Sequence, residues 1–319
     1  MTTRRSPHSA AGRAPTAVAF AQERSDPVTE QHLADNGDLD LRGTLELVEL
    51  INDEDATVAA AVRRAAPALA AAVDAIVDRL RGGGRLVYVG AGSSGRLAHV
   101  DAAECGPTFG TPPEQVTAIV AGGATALAAA QEAAEDDDAA GAADVASAQV
   151  AAADAVVLLS ASGSTPYVLA AGHAAQTAGA LTVAVVCNDG SPLGELADHA
   201  VVAVVGPEVI AGSTRMKAGT AQKLVLNTIS TATMIRLGKT FGNLMVDVVA
   251  SNAKLRARAR RAVTLATGAG DAEVDDALAA SGGNVKIAIV SLLAGVEAGE
   301  AAALLERSNG VVRDALAPR

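Results

Sequence analysis

The sequence predicts an α/β fold: a doubly wound, mostly parallel five-stranded sheet flanked by helices, followed by a small all-helical module. Three observations predict it. Short apolar runs alternate with helical stretches from residue 86 to residue 205. Those runs are continuous in Val, Ile, Leu and Ala rather than alternating, as in strands covered by helices on both faces. Beyond Gly270 only helical spacing of apolar residues remains.

The elements follow in chain order. Residues 1–26 are rich in Ser, Thr, Pro and Arg and read as a mobile tail. Residues 27–75 read as N-terminal helices. Leu41, Leu45, Val48 and Ile51 recur at helical spacing, as do Val62, Leu69, Val73, Ile76 and Leu80. Asn52-Asp53-Glu54-Asp55 reads as a polar break between the two, and Gly82-Gly83-Gly84 ends the second. The main domain spans about 76–240, with strands at 86–89, 116–120, 155–159, 181–187 and 200–205. Helices are expected from Gly123 to about Glu135, over 166–177 and over 216–237. A helical connection, with a helix from about Leu244 to Thr267, fills 241–270. Residues 271–319 form a three-helix module broken at Gly282-Gly283-Asn284 and Ser308-Asn309-Gly310, with Asp271 as first cap.

Composition narrows the function. The chain has 319 residues, half of them hydrophobic, but only 2% aromatic, so the core must be packed from small side chains. Its net charge of −11 argues against non-specific nucleic-acid binding and requires any anion site to be locally positive. Cys105 and Cys187 make neither a metal-ligand spacing nor a disulfide framework, which points to a reducing cytoplasm. No apolar run approaches the length of a membrane span, and the first residues lack the apolar core of a secretory signal.

Two loops carry the strongest chemical signal. Gly90-Ala91-Gly92-Ser93-Ser94-Gly95-Arg96 follows the first strand and opens a helix. It overlaps the dinucleotide pattern, but no acidic residue follows the second strand to take a ribose hydroxyl, which leaves a nicotinamide oxidoreductase a distant reading. The hydroxyls of Ser93 and Ser94 suit a terminal phosphate better. Ser160-Ala161-Ser162-Gly163-Ser164-Thr165-Pro166 is a second strand-to-helix loop, with four hydroxyls where a cap needs one. Free N–H groups and the helix dipole make each start an anion site. Arg215, Lys217 and Lys223 sit in the first turns of a helix, the unfavourable end for cations, so an anion or carboxylate is expected opposite them. Glu104 lies among small apolar residues, where partial burial would raise its pKa into general-acid range. Cys105-Gly106-Pro107 should stop its helix.

These residues resemble a known family. Gly90 to Arg96 with Asp101-Ala102-Ala103-Glu104-Cys105, then Ser162 to Val168, then Gly212-Ser213-Thr214-Arg215-Met216-Lys217-Ala218-Gly219-Thr220-Ala221-Gln222-Lys223, closely resemble the bacterial N-acetylmuramic acid 6-phosphate etherases. Gly238-Lys239-Thr240-Phe241-Gly242-Asn243-Leu244-Met245-Val246-Asp247 continues the likeness, which runs from about residue 40 to the C-terminus. The glucokinase regulatory protein shares part of these motifs, so a sugar-phosphate-sensing regulator without turnover is the alternative. The resemblance implies a sugar isomerase (SIS) domain, a cytoplasmic homodimer, no metal or organic cofactor, and cleavage of a D-lactyl ether in cell-wall amino-sugar recycling. It implies Glu104, the proton donor, and Glu135 as the active-site glutamates. Ser93, Ser94, Ser160, Ser162 and Thr165 would hold the phosphate, with Arg96, Ser164, Arg215 and Lys217 beside them. Ser164 departs from the family's usual Ser-Gly-Arg-Thr-Pro-Tyr. Either affinity is weaker or Arg215 or Lys217 compensates. Ser94 and Glu104 lie about 15 Å apart along a continuous helix. A hexose phosphate does not reach that far, which suggests a site shared between two subunits.

Overall fold

The computed structural model describes residues 27–34, 36–248 and 253–317. The expected mobile tail, residues 1–26, lies outside the described residues. Two 3-10 turns, Val28–Glu30 and Leu39–Leu41, open the described chain. Three helices follow: α1 (Thr44–Ala56), α2 (Val58–Arg64) and α3 (Ala66–Arg81). The expected break at Asn52-Asp53-Glu54-Asp55 is absent. Helix α1 runs through it because none of its residues is buried, so a polar run costs the helix nothing. Helix α1 ends one residue further on, at Ala56, and the chain bends by 59° at Ala65, between Arg64 and Ala66.

The sheet is wholly parallel, in the order β2-β1-β3-β4-β5. Its elements, with their helices, are β1 (Leu86–Gly90), α4 (Gly92–Phe109), β2 (Val116–Val120), α5 (Gly123–Ala128), α6 (Asp138–Ser147), β3 (Ala155–Leu159), α7 (Pro166–Thr177), β4 (Leu181–Val186), α8 (Pro192–Leu196), β5 (His199–Val202) and α9 (Lys217–Arg236). Leu86 pairs with both Val116 and Ala155, which puts β1 between β2 and β3. Side-chain alternation divides the core. Leu86, Tyr88, Val157 and Val183 face α3, α4 and α9. Val87, Val89, Val156 and Ala184 face α6, α7 and α8. The unbroken apolar runs of β1 and β3 are thereby explained: residues on both faces are fully buried.

Three helix boundaries differ from expectation. The helix after Gly123 ends at Ala128, and Glu135 lies on a separate 3-10 turn, Glu132–Glu135. Helix α4 does not stop at Pro107. It ends at Gly110, whose φ of 63° closes it while its N–H bonds Gly106 O. Pro107 deprives the Ala103 carbonyl of a donor, but Ala103 is exposed and water can replace it. The expected helix from Leu244 begins with a β-hairpin, β6 (Thr240–Phe241) and β7 (Leu244–Met245), turned at Gly242 with φ 59°.

The remaining helices are α10 (Ala253–Thr267), α11 (Asp271–Ala280), α12 (Val285–Ala294), α13 (Ala298–Arg307) and α14 (Val312–Ala315). Instead of three helices, the C-terminal module has four, because Gly295 takes φ 67° and ends α12. Val246, Ala259 and Val263 join its core, so α10 packs with this module. Asp271 is not the cap. Gly270 occupies that position, and Glu273 accepts its N–H at 2.9 Å.

A buried polar network ties three elements beneath the site. Asp101 on α4, 6% exposed, accepts from Tyr88 OH at 2.8 Å, Asn227 Nδ2 at 2.6 Å and Ser230 Oγ at 3.2 Å. Burial and the Asp101 charge push the Tyr88 phenol well above its ordinary pKa, so it stays a donor. Removing the acceptor strands buried donors. Asp101→Ala is therefore expected to lose about 3 kcal/mol of stability, read from urea unfolding. A loss below about 1 kcal/mol would remove the network from the account of what holds α4 to α9.

Candidate active site

Strands β1 and β3 are neighbours, yet their helices α4 and α7 leave toward opposite faces. A crevice opens at their carboxyl ends, the position where open α/β sheets bind ligands. Here a cavity of about 390 Å³ is lined by Ala91, Ser93, Ser94, Glu135, Ser160, Ser162, Thr165, Ser213, Thr214, Arg215 and Glu30. Seven of the residues singled out in the sequence are thus brought together: Ser93, Ser94, Glu135, Ser160, Ser162, Thr165 and Arg215.

Neither helix at the cavity is capped by a side chain. Ala91, before α4, has no side-chain acceptor. Thr165, before α7, turns its hydroxyl to Ser160 Oγ at 2.8 Å rather than to its own helix. Two helix N-termini therefore present first-turn N–H groups and positive dipole ends to one space. The first loop is tightly fitted. A β-carbon at Gly95 would meet Gly90 O at 2.6 Å, so α4 starts against β1 only with glycine there. Gly92 has φ 53°, and a β-carbon on it would lie 2.5 Å from Glu135 Oε1. The glycines thus admit the catalytic candidate's carboxylate to the helix start.

The second loop is a hydroxyl network. Ser160 Oγ contacts Ser162 Oγ at 3.2 Å and accepts the Gly163 N–H at 3.0 Å. Ser162 Oγ also accepts from Ser164 N and Ser164 Oγ, at 3.2 and 3.1 Å. Ser164 itself is exposed and lies outside the cavity lining. Below the first loop, Ser94 Oγ donates to Gln222 Oε1 at 2.8 Å. Gln222 is 1% exposed and its Nε2 lacks a hydrogen-bond partner. Sequence reasoning missed this residue as a support of the loop.

The cations separate. Arg215 is exposed and reaches the cavity lining. Lys217 does not: it is 2% exposed, and its Nζ donates to Glu54 Oε2 at 2.5 Å. The carboxylate oxygens of Glu208 accept the Lys217 and Ala218 N–H groups at 3.0 and 2.9 Å and so cap α9. The expected carboxylate opposite the basic turn is therefore Glu54 with Glu208, and Lys217 is structural in place. Glu208 precedes its helix by too many residues for a local capping pattern to reveal it. Arg96 also points away from the lining. It donates to Ala126 O and Ala129 O at 2.8 and 2.9 Å and fastens the chain that leads to Glu135.

Glu135 is half-buried, and its pKa is raised. Burial is the main cause, followed by the charges of Asp136 and Glu132, while Arg96 opposes them. Glu104 departs from expectation. It is exposed on α4, outside the cavity lining, rather than partly buried. Its helix is unbroken from Gly92 to Phe109, so the separation of about 15 Å from Ser94 holds. Among the described residues no cluster of three or more His, Cys, Asp or Glu is placed to hold a metal ion. No single described helix is long and apolar enough to cross a membrane.

A polar cavity between two helix starts at the carboxyl edge of a parallel sheet defines the class, an α/β protein built to bind an anionic ligand. Residues 68–176 match the glucokinase regulatory protein N-terminal SIS domain. An N-acetylmuramic acid 6-phosphate etherase of Rubrobacter xylanophilus is 57% identical over 91% of this chain and 95% of its own. One from Streptomyces avermitilis is 55% identical over 91% of this chain and 93% of its own. Among solved structures, a phosphoheptose isomerase from Francisella tularensis matches at 22% identity and a TM-score of 0.46, covering 59% of this chain and 98% of that one. The chain belongs to the N-acetylmuramic acid 6-phosphate etherase family.

Proposed function

We propose that the protein cleaves the D-lactyl ether of N-acetylmuramic acid 6-phosphate, giving N-acetylglucosamine 6-phosphate and D-lactate. It is a carbon–oxygen lyase of cell-wall amino-sugar recycling. The observation that carries this reading is one cavity in which two uncapped helix starts, a hydroxyl network and a raised-pKa glutamate meet, in a chain 57% identical to an etherase. The phosphate is held by Ser93, Ser94, Ser160, Ser162 and Thr165, with Arg215 adding charge. Arg96, Ser164 and Lys217 act from outside the lining, by supporting the loops.

The chemistry needs one acid and one base. Ring opening exposes an aldehyde at C1, which acidifies the C2 proton. The Glu135 carboxylate takes that proton, and Glu104, as the general acid, gives one to the lactyl oxygen as the C3–O bond breaks. Water then adds at C3 and C2 is reprotonated. Burial suits Glu135 to the base role by raising its proton affinity. The exposure of Glu104, and its separation of about 15 Å from Ser94 along its own helix, support the reading that it serves the cavity of a second copy. The working unit is then a cytoplasmic homodimer with shared sites.

The match to the glucokinase regulatory protein domain supports a second reading, a sugar-phosphate sensor without turnover. Incubation with purified N-acetylmuramic acid 6-phosphate separates the two. The etherase releases D-lactate and N-acetylglucosamine 6-phosphate in equal amounts. Binding of the sugar phosphate with no D-lactate released would establish the sensor.

A further inference from the structure

The cavity holds a carboxylate that neither the sequence motifs nor the elimination chemistry uses. Glu30 lines it, although it comes from the short 3-10 turn Val28–Glu30, far from the SIS loops in sequence. That turn is clamped to the phosphate loop. Thr29, 1% exposed, donates its N–H to Asn188 Oδ1 at 3.2 Å. Asn188 Nδ2 returns a bond to Thr29 Oγ1 at 2.9 Å and reaches Ser162 O at 3.2 Å. One buried amide thus fixes Glu30 relative to the hydroxyls of the second loop. The clamp uses Thr29 throughout and leaves the Glu30 carboxylate for another task. That carboxylate lies over the chain that leads into α9, where a β-carbon on Gly212 would stand 3.2 Å from Glu30 Oε2.

The electrostatics say what the task is. Apart from Glu30 and Glu135, the chemically active lining consists of hydroxyls, N–H groups and Arg215, all suited to an anion. An ionised carboxylate only accepts hydrogen bonds. Beside a phosphate it repels, whereas toward a part of the ligand that offers donors it is favourable. A sugar phosphate has both parts: a dianionic end, and a body bearing hydroxyl and amide N–H donors. We propose that Glu30 is a specificity-determining residue that accepts a hydrogen bond from the sugar body, so that the cavity selects phosphosugars over bare phosphate. The proposal rests on the sugar-phosphate reading of the cavity. Discrimination of this kind is strong because a site built for a donor is penalised when the donor is missing.

The test titrates N-acetylglucosamine 6-phosphate and inorganic phosphate separately into the wild type, Glu30→Ala and Thr29→Ala, followed by calorimetry. Glu30 is exposed, so its replacement leaves the fold intact. Loss of a charge-assisted hydrogen bond predicts sugar-phosphate binding about tenfold weaker or more in Glu30→Ala. Inorganic phosphate binding should be unchanged or tighter, because a negative charge has gone. Thr29→Ala, which loosens the clamp, should weaken both ligands. Equal weakening of both by Glu30→Ala would make Glu30 a structural residue and overturn the proposal. Equal tightening would make it a repulsive charge only and would overturn the proposal as well. If the wild type binds neither ligand, the sugar-phosphate reading itself fails, and Glu30 with it.

Discussion

Glu104→Gln is expected to lower kcat for D-lactate release by about a thousandfold, with little change in thermal stability. The side chain is exposed on α4, so the substitution disturbs no packing. The amide keeps the shape of the acid but carries no transferable proton. Lactate must then depart as an unprotonated alkoxide, which removes the contribution of general acid catalysis. A coupled D-lactate dehydrogenase assay, with a melting curve on the same sample, reads both quantities. Retention of more than a tenth of the activity would take Glu104 out of the proton-donor role.

Glu135→Gln carries a comparable expected loss, about a hundredfold to ten-thousandfold in kcat, because the C2 proton loses its acceptor. Its pH signature is the sharper test. Burial and the neighbouring Asp136 and Glu132 raise the Glu135 pKa. A base must be deprotonated to work, so activity falls as pH drops through that raised value. The acidic limb of kcat/KM should therefore lie above the ordinary glutamate value of about 4.3. Asp136→Asn removes one repelling charge, stabilises the ionised form of Glu135 and should move the limb to lower pH. A limb that stays in place, or moves upward, would assign it to another group.

Much of this was legible in the sequence for a physical reason. Strands β2 and β3 and helix α7 fall at the expected residues because short, mostly apolar, β-branched-rich runs and a Pro at the first helical position are local signals. The two hydroxyl loops were legible because glycine and serine after a strand mark where backbone N–H groups are left free. What escaped depends on distant partners. Lys217 looks like an anion ligand until Glu54, 163 residues away, is folded against it. Glu30 has no local pattern at all, and only the Thr29–Asn188 clamp brings it to the cavity. Gly295 divided the last module because a left-handed glycine within an apolar run reads, in sequence, like any small core residue. Glu104 had a local apolar setting, but its exposure follows from which face of α4 the sheet covers.

In the proposed dimer, one subunit's phosphate cavity is served by the other subunit's Glu104. Mixing two inactive variants tests it most directly. Glu104→Gln removes the acid, and Ser93→Asp puts a carboxylate into the cavity lining. With shared sites in a two-fold dimer, each mixed pair holds one doubly defective site and one intact site. Random pairing should then restore about a quarter of wild-type D-lactate release. No recovery in mixed dimers, with subunit exchange verified, would contradict the shared site and return Glu104 to its own subunit.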